Sequence, residues 1–134
     1  MRKDIHQPTA DGVSMAVVRE TDDAGEQGWY VYLINARDVP LETVLVSSRG
    51  YGEIDGEQRK TSEMRHVLDT MAPKSWARIE RIVEDVFALS NQYWISFYVD
   101  GVIHDKKFIF LAGSIDEENF TNLPLMHVRG VLIQ

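Results

Sequence analysis

Between Tyr93 and Leu111 the chain reads YWISFYVDGVIHDKKFIFL. An aromatic and β-branched run meets an Asp-Gly pair, and a second apolar run follows from Phe108 to Leu111. Asp-Gly tolerates the positive φ that both central positions of a two-residue type I′ turn require, so the stretch predicts a β-hairpin closed at Asp100-Gly101. In its first arm Tyr93, Ile95, Phe97 and Val99 share one face, and Trp94, Ser96 and Tyr98 share the other. Aromatics on both faces predict a central strand covered on both sides. Pairing across the turn sets Val99 beside Val102 and Phe97 beside His104, but also Ile95 beside Lys106. That poor match predicts a bulge near His104–Lys107 or a shorter ladder.

The same alternation recurs along the chain. Val13 to Arg19 reads as a first strand, followed by an acidic surface loop from Glu20 to Gly28. Trp29 to Asn35 is apolar on both faces, and Leu41 to Ser47 alternates. The turn-forming Asn35–Pro40 between them predicts a second hairpin. Arg49 to Gln58, with three glycines and several charges, reads as a loop. Within Lys60 to Met71, Met64, His66 and Leu68 alternate with Arg65, Val67 and Asp69, as in a half-buried strand closed by Pro73. Ser75 to Ser90 is two-valued. Trp76, Ile79, Ile82 or Val83, and Val86 recur at helical spacing behind a capping Ser75. As a strand only Ser75 to Arg81 alternates, with Ala77 and Ile79 inside and Val83 to Leu89 as a turn with a short helical piece. The Pro-Lys-Ser corner and the surrounding strands favour the second reading. Gly113 to Pro124 is an acidic connection, and Leu125 to Gln134 a last strand with Gly130 marking a bulge or kink. Met1 to Gly12 reads as a loose arm. Together these predict one all-β domain over 1–134, an antiparallel immunoglobulin-like β-sandwich of seven or eight strands with one short helix. The alternative is an α+β fold with a helix over 75–90.

Composition narrows the function classes. A chain of 134 residues buries roughly two-thirds of its unfolded surface as one domain. Its net charge of −7 opposes non-specific nucleic-acid binding, which rests on neutralising phosphates. The absence of cysteine excludes disulfides, thiol catalysis and Cys-ligated zinc. No apolar run approaches the ~18 residues of a membrane span, and MRKDIHQPTADG lacks the apolar core of a secretory signal, so a cytoplasmic location is expected.

The residues that could carry chemistry are scattered. Gly50, Gly52 and Gly56 follow a strand but precede no helix whose amides would meet a phosphate. Asp55 and Glu57 lack the ligand spacing of a calcium loop. Of His6, His66, His104 and His127, only Glu63 with His66 and His104 with Asp105 are close in sequence. On a strand Glu63 and His66 point to opposite faces, so no metal site is assigned. No serine lies in a nucleophile elbow, and Asp22, Asp23, Asp116, Glu117 and Glu118 read as solvated loop acids. No catalytic residue and no cofactor is assigned. One grouping remains: Arg65, Arg78 and Lys107 would form a basic patch near Trp76 or Trp94 if their strands share a solvent face. Glu63, Glu80 and Asp105 are the acids that would neutralise it.

Three segments, TSEMRHVLDTMAPKSWARIE (Thr61 to Glu80), NQYWISFYVDG and PLMHVRGVLIQ, resemble a family of small bacterial proteins of uncharacterised function, sometimes labelled phenylalanyl-tRNA synthetase subunit. The likeness runs from Trp29 onward and rests on structural residues. It implies a β-sandwich and carries over no catalytic residue. A class II synthetase core needs a larger domain and ATP-binding arginine motifs, neither of which this sequence supplies. The leading expectation is a non-catalytic module that binds another protein or itself through Trp94, Lys107, Arg78, Arg65, Leu125 and His127. In that reading Leu125 to Ile133 is an apolar edge strand able to pair across a two-fold axis. The alternatives are a small-ligand or enzyme site assembled only in three dimensions, near Trp29, Trp76 or Trp94 with a converging His and acid, and then RNA association.

Overall fold

In the computed structural model, which describes residues 11–134, the alternating segments become ten antiparallel strands: β1 (Val13–Thr21), β2 (Gln27–Asn35), β3 (Leu41–Ile54), β4 (Glu57–Lys60), β5 (Met64–Met71), β6 (Ser75–Ile82), β7 (Ser90–Val99), β8 (Val102–Phe110), β9 (Thr121–Asn122) and β10 (Arg129–Ile133). They form two sheets of five. The first runs β6-β2-β1-β10-β9; in the second, β4 and β5 share one edge of β3, and β7 and β8 follow on the other. With β2 beside β6 in one sheet and β3 beside β7 in the other, the order is that of an immunoglobulin-like sandwich. The expected arm at the N-terminus lies almost wholly outside the described residues. None of the described helices is long and apolar enough to cross a membrane.

Each sheet turns one apolar face inward. Met15, Val17, Val31 and Leu33 meet Val44, Val46, Tyr93, Ile95, Phe97 and Phe110, all fully buried. At one end Trp29 packs edge-to-face on Phe87 and Phe120, with centroids 5.2 and 5.9 Å away. The second sheet-sized apolar set, Ala16, Val18, Tyr30, Tyr32 and Ile34, lies on the outer face of the first sheet and is covered by Leu123, Leu125, Met126 and Leu132. This explains why β2 is apolar on both faces.

Four expectations are overturned. Trp29–Asn35 and Leu41–Ser47 are not a hairpin, because β2 pairs with β1 and β6 while β3 lies in the opposite sheet. The intervening corner is tied by Asn35, fully buried, whose amide donates to the carbonyls of Val39 and Ala72 at 3.0 Å. Arg49–Gln58 is not a loop: β3 continues to Ile54 and turns into β4 through Asp55-Gly56, at φ 53° and 80°. The β7–β8 ladder is unbroken from Asn91↔Phe110 to Val99↔Val102, with no bulge at His104–Lys107. Ile95 does face Lys106, whose amino group donates to the Val13 carbonyl at 3.2 Å and lies 4.9 Å from the Phe108 ring centroid. Finally, only Arg129–Ile133 of the last segment is a strand, and it lies between β1 and β9 rather than at an edge. Gly130 permits this, since a Cβ there would stand 2.5 Å from the Val17 carbonyl oxygen.

Ser75–Ser90 adopts the strand reading, and Val83–Leu89 is a turn with one 3-10 piece at Glu84–Val86. The helical spacing has a local cause. The β2–β6 register slips between Val31 and Tyr32, so β6 carries one extra residue. Ala77 and Ile79 point inward, and after the slip Glu80 and Ile82 do as well, which mimics a longer period.

Candidate functional site

Two regions gather polar or exposed apolar groups. The first is the outer face of the second sheet, where β7 is central as expected but not covered. Cross-strand register sets Arg65, Ser47, Trp94 and Lys107 in one row and Val67, Leu45, Ser96 and Asp105 in the next, with Tyr98 and Ile103 beyond. Val67 is 70% exposed, Ile103 49%, Leu45 46%, Trp94 45% and Tyr98 40%. A band of large apolar side chains therefore crosses four strands in contact with water. Lys107 lies 5.6 Å from the Trp94 ring centroid, Ser96 donates to Asp105 at 2.8 Å, and Arg65 approaches Glu63 at 3.8 Å.

The six residues expected to form one interaction surface are divided by the sandwich. Trp94, Lys107 and Arg65 share the row just described. Arg78 lies on the outer face of the first sheet, its guanidinium 4.2 Å from the Tyr30 ring centroid and 3.5 Å from the Glu20 carboxylate. Leu125 and His127 occupy the turn before β10, both at positive φ, with Leu125 packed on the same outer face and His127 exposed. Beside Arg78, burial and then the Glu20 hydrogen bond raise the Tyr32 phenol above its usual pKa, against the lowering effect of Arg78. The basic patch is accordingly split, with Arg78 and Trp76 on one sheet and Arg65 and Lys107 beside Trp94 on the other.

The second region is a notch in the edge of β3. β5 pairs with Leu41–Ser48 and β4 with Tyr51–Ile54, and Thr61–Glu63 bridges the gap. Gly50 exchanges hydrogen bonds with Thr61, donating to its hydroxyl at 2.7 Å and accepting from its amide at 2.8 Å. Behind the notch lies a cleft of about 340 Å³. On its floor is Glu80, turned inward by the β6 slip. Its Oε1 accepts from Ser48 Oγ at 3.1 Å and pairs with His66 Nε2 at 2.7 Å, and its Oε2 accepts from the Tyr93 hydroxyl at 2.8 Å. With Glu80 ionised, His66 carries its proton on Nε2 and donates. Burial first, then the Glu80 charge and hydrogen bond, push the Tyr93 phenol far above its usual pKa, so it stays a donor.

Ser48 gives its hydrogen bond to the acid, so the sequence of contacts is Ser–Glu–His rather than the Ser–His–acid relay of nucleophilic catalysis. Among the described residues no three His, Asp or Glu side chains are placed to hold a metal. Sequence reasoning placed His66 on the apolar side of its strand but took Glu80 for a solvated partner of surface cations. The available signal was an acid between Ile79 and Ile82, both buried. No protein-family model matches the chain, and no curated protein matches it.

Proposed function

We propose that the protein is a non-catalytic association module whose working unit is a two-fold pair, packed through the outer face of the second sheet. The supporting observation is the exposed band of Val67, Leu45, Trp94, Tyr98 and Ile103, all on one face. Apolar surface of this kind gains by leaving water, and a contiguous patch is the usual mark of an interaction site. Charge selects the occupant. Arg65 and Lys107 lie in one row of the face, and Asp105 lies in the next row along β8. A two-fold axis running across the strands between these two rows sets the cationic row of each copy against the Asp105 row of the other, with Lys107 opposite Asp105 of the second copy.

Sedimentation velocity tests this reading. The wild type is expected as a reversible dimer at micromolar concentration and Leu45→Glu as a monomer. Trp94→Ala should weaken the pair by about 2 kcal/mol. Arg78→Ala, on the opposite sheet, should leave it unchanged. Lys107→Asp should weaken association and Asp105→Lys in the same chain restore it. A wild type that stays monomeric at hundreds of micromolar refutes the proposal.

A further inference from the structure

Glu80 is the only Asp or Glu lining the cleft behind the β3 notch. The two arginines beside it turn away: Arg81 reaches Asp22 and the Tyr30 ring on the outer face of the first sheet, and Arg49 reaches the Tyr51 ring on the outer face of the second. A carboxylate offers about four lone-pair sites. Oε1 accepts from Ser48 and pairs with His66, whereas Oε2 accepts only from Tyr93, so Oε2 keeps one site for a further donor. The Glu80 side chain is 18% exposed, and in so shielded a setting a charged donor gains more than it would in water. Asn91 lines the same cleft and is 5% exposed. It spends its amide on the carbonyls of Val86 and Leu89, and its Oδ1 accepts no hydrogen bond among the described residues. Both open polar positions are therefore acceptors. The remaining wall is apolar: Met64 and Val83 stand 54% and 55% exposed, with the buried Ile82 beside them.

We propose that this cleft binds a primary alkylammonium. The ammonium donates to Glu80 Oε2, and the hydrocarbon stem covers Met64, Ile82 and Val83. The other charge types fit less well. An anion meets Glu80 with no facing cation to offset it. An alcohol donates but brings no charge. A guanidinium forms its two parallel bonds only where both carboxylate oxygens are open, and Oε1 already has two partners. An ammonium is a point charge that one lone-pair site can hold. The volume of about 340 Å³, at the small end of ligand pockets, suits a stem of a few carbons. This site uses none of the side chains of the exposed apolar band, so it stands or falls independently of the two-fold pairing.

The test is a titration of the full chain at pH 7, followed by calorimetry and by the methionine methyl resonances, with 3-methylbutylamine, 3-methylbutan-1-ol and 4-methylpentanoate as probes. The amine, protonated at this pH, is expected to bind one-to-one and shift the Met64 methyl signal. The alcohol and the acid should bind at least about tenfold more weakly. Glu80→Gln should erase the preference for amine over alcohol. Met64→Ala removes part of the wall that covers the stem and should weaken the amine about fivefold. Met64 is half exposed, so its variant and the wild-type comparison of amine with alcohol decide the matter even where Glu80→Gln unfolds. A capped lysine, Nα-acetyl-L-lysine methylamide, separates the two sources of this chemistry. Tighter binding than the amine assigns the site to a lysine side chain, and weaker binding to a free amine. Absence of a Met64 shift with both ammonium probes at about 10 mM overturns the proposal. So does equal binding of amine and alcohol, or a preference for the amine that a folded Glu80→Gln retains.

Discussion

Glu80 concentrates the interior polar chemistry of the sandwich in one side chain. A carboxylate withdrawn from water is tolerated only when donors replace its hydration, and here Ser48, His66 and Tyr93 do so. Tyr93→Phe keeps the ring and deletes one donor, so it should cost about 1–2 kcal/mol at pH 7 in urea denaturation. The same variant has a second readout in alkali. The folded Tyr93 phenol titrates above its unfolded value, because burial and the Glu80 charge oppose the phenolate. Its contribution is complete below about pH 10 and is lost as pH rises beyond that, where the unfolded chain releases a proton that the folded chain keeps. Tyr32, raised in the same direction, adds to the trend. Wild-type stability should therefore fall above about pH 10, and Tyr93→Phe should fall less steeply. Parallel slopes in the two proteins would show that Tyr93 does not carry the effect.

At the level of strands and turns, two Asp-Gly corners share one geometry and differ in what flanks them. Asp100-Gly101 has φ 50° and 76°, and Asp55-Gly56 has 53° and 80°. The first was legible because aromatic runs stand on both sides of it. The second was not, because β4 is Glu-Gln-Arg-Lys, exposed throughout, and an exposed strand has no need of apolar alternation. An added Cβ meets nothing within 4 Å at Gly56 or Gly101, so substitution by Ala tests backbone strain alone. Gly101→Ala should cost about 1 kcal/mol of global stability. Gly56→Ala should cost less, since β4 can fray without opening the core, and should instead speed hydrogen exchange across the β3–β4 ladder. Equal global losses would mean that β4 is cooperative with the sandwich. The misread corner at Asn35–Pro40 has a related cause. Alternation reports which residues of a strand face inward, but a hairpin and a crossing between sheets present the same pattern. Only the burial of Asn35 and its bonds to Val39 and Ala72 distinguish them. The cleft was illegible for the same reason, since Glu80 points inward only because of a one-residue slip that no residue type announces.

For the molecule as a whole the open problem is its edges, because a sandwich leaves unpaired strands that can recruit other chains. β8 ends the second sheet, and its sequence VIHDKKFIF is apolar at both ends. Lys106 interrupts it from the inner face. Its stem runs along Phe108 and its amino group reaches the Val13 carbonyl, so a strand docking against β8 would meet a charge where the core face should continue. The sequence showed this lysine as a mismatch with Ile95, and a bulge was the expected remedy; the chain instead keeps its register and lets the long side chain extend to a backbone acceptor. Lys106→Leu should then leave monomer stability within about 1 kcal/mol, the lost hydrogen bond being offset by added apolar burial. It should also convert β8 into a continuous apolar edge. The expected result in light scattering is growth of open-ended aggregates with concentration, because ladder pairing at one edge does not close on itself. The proposed packing through the Trp94 face would stop at two copies, so Leu45→Glu should abolish that dimer and leave the Lys106→Leu aggregates in place. A Lys106→Leu protein that stays monodisperse in the Leu45→Glu background would show that the edge is guarded by something other than this inward charge.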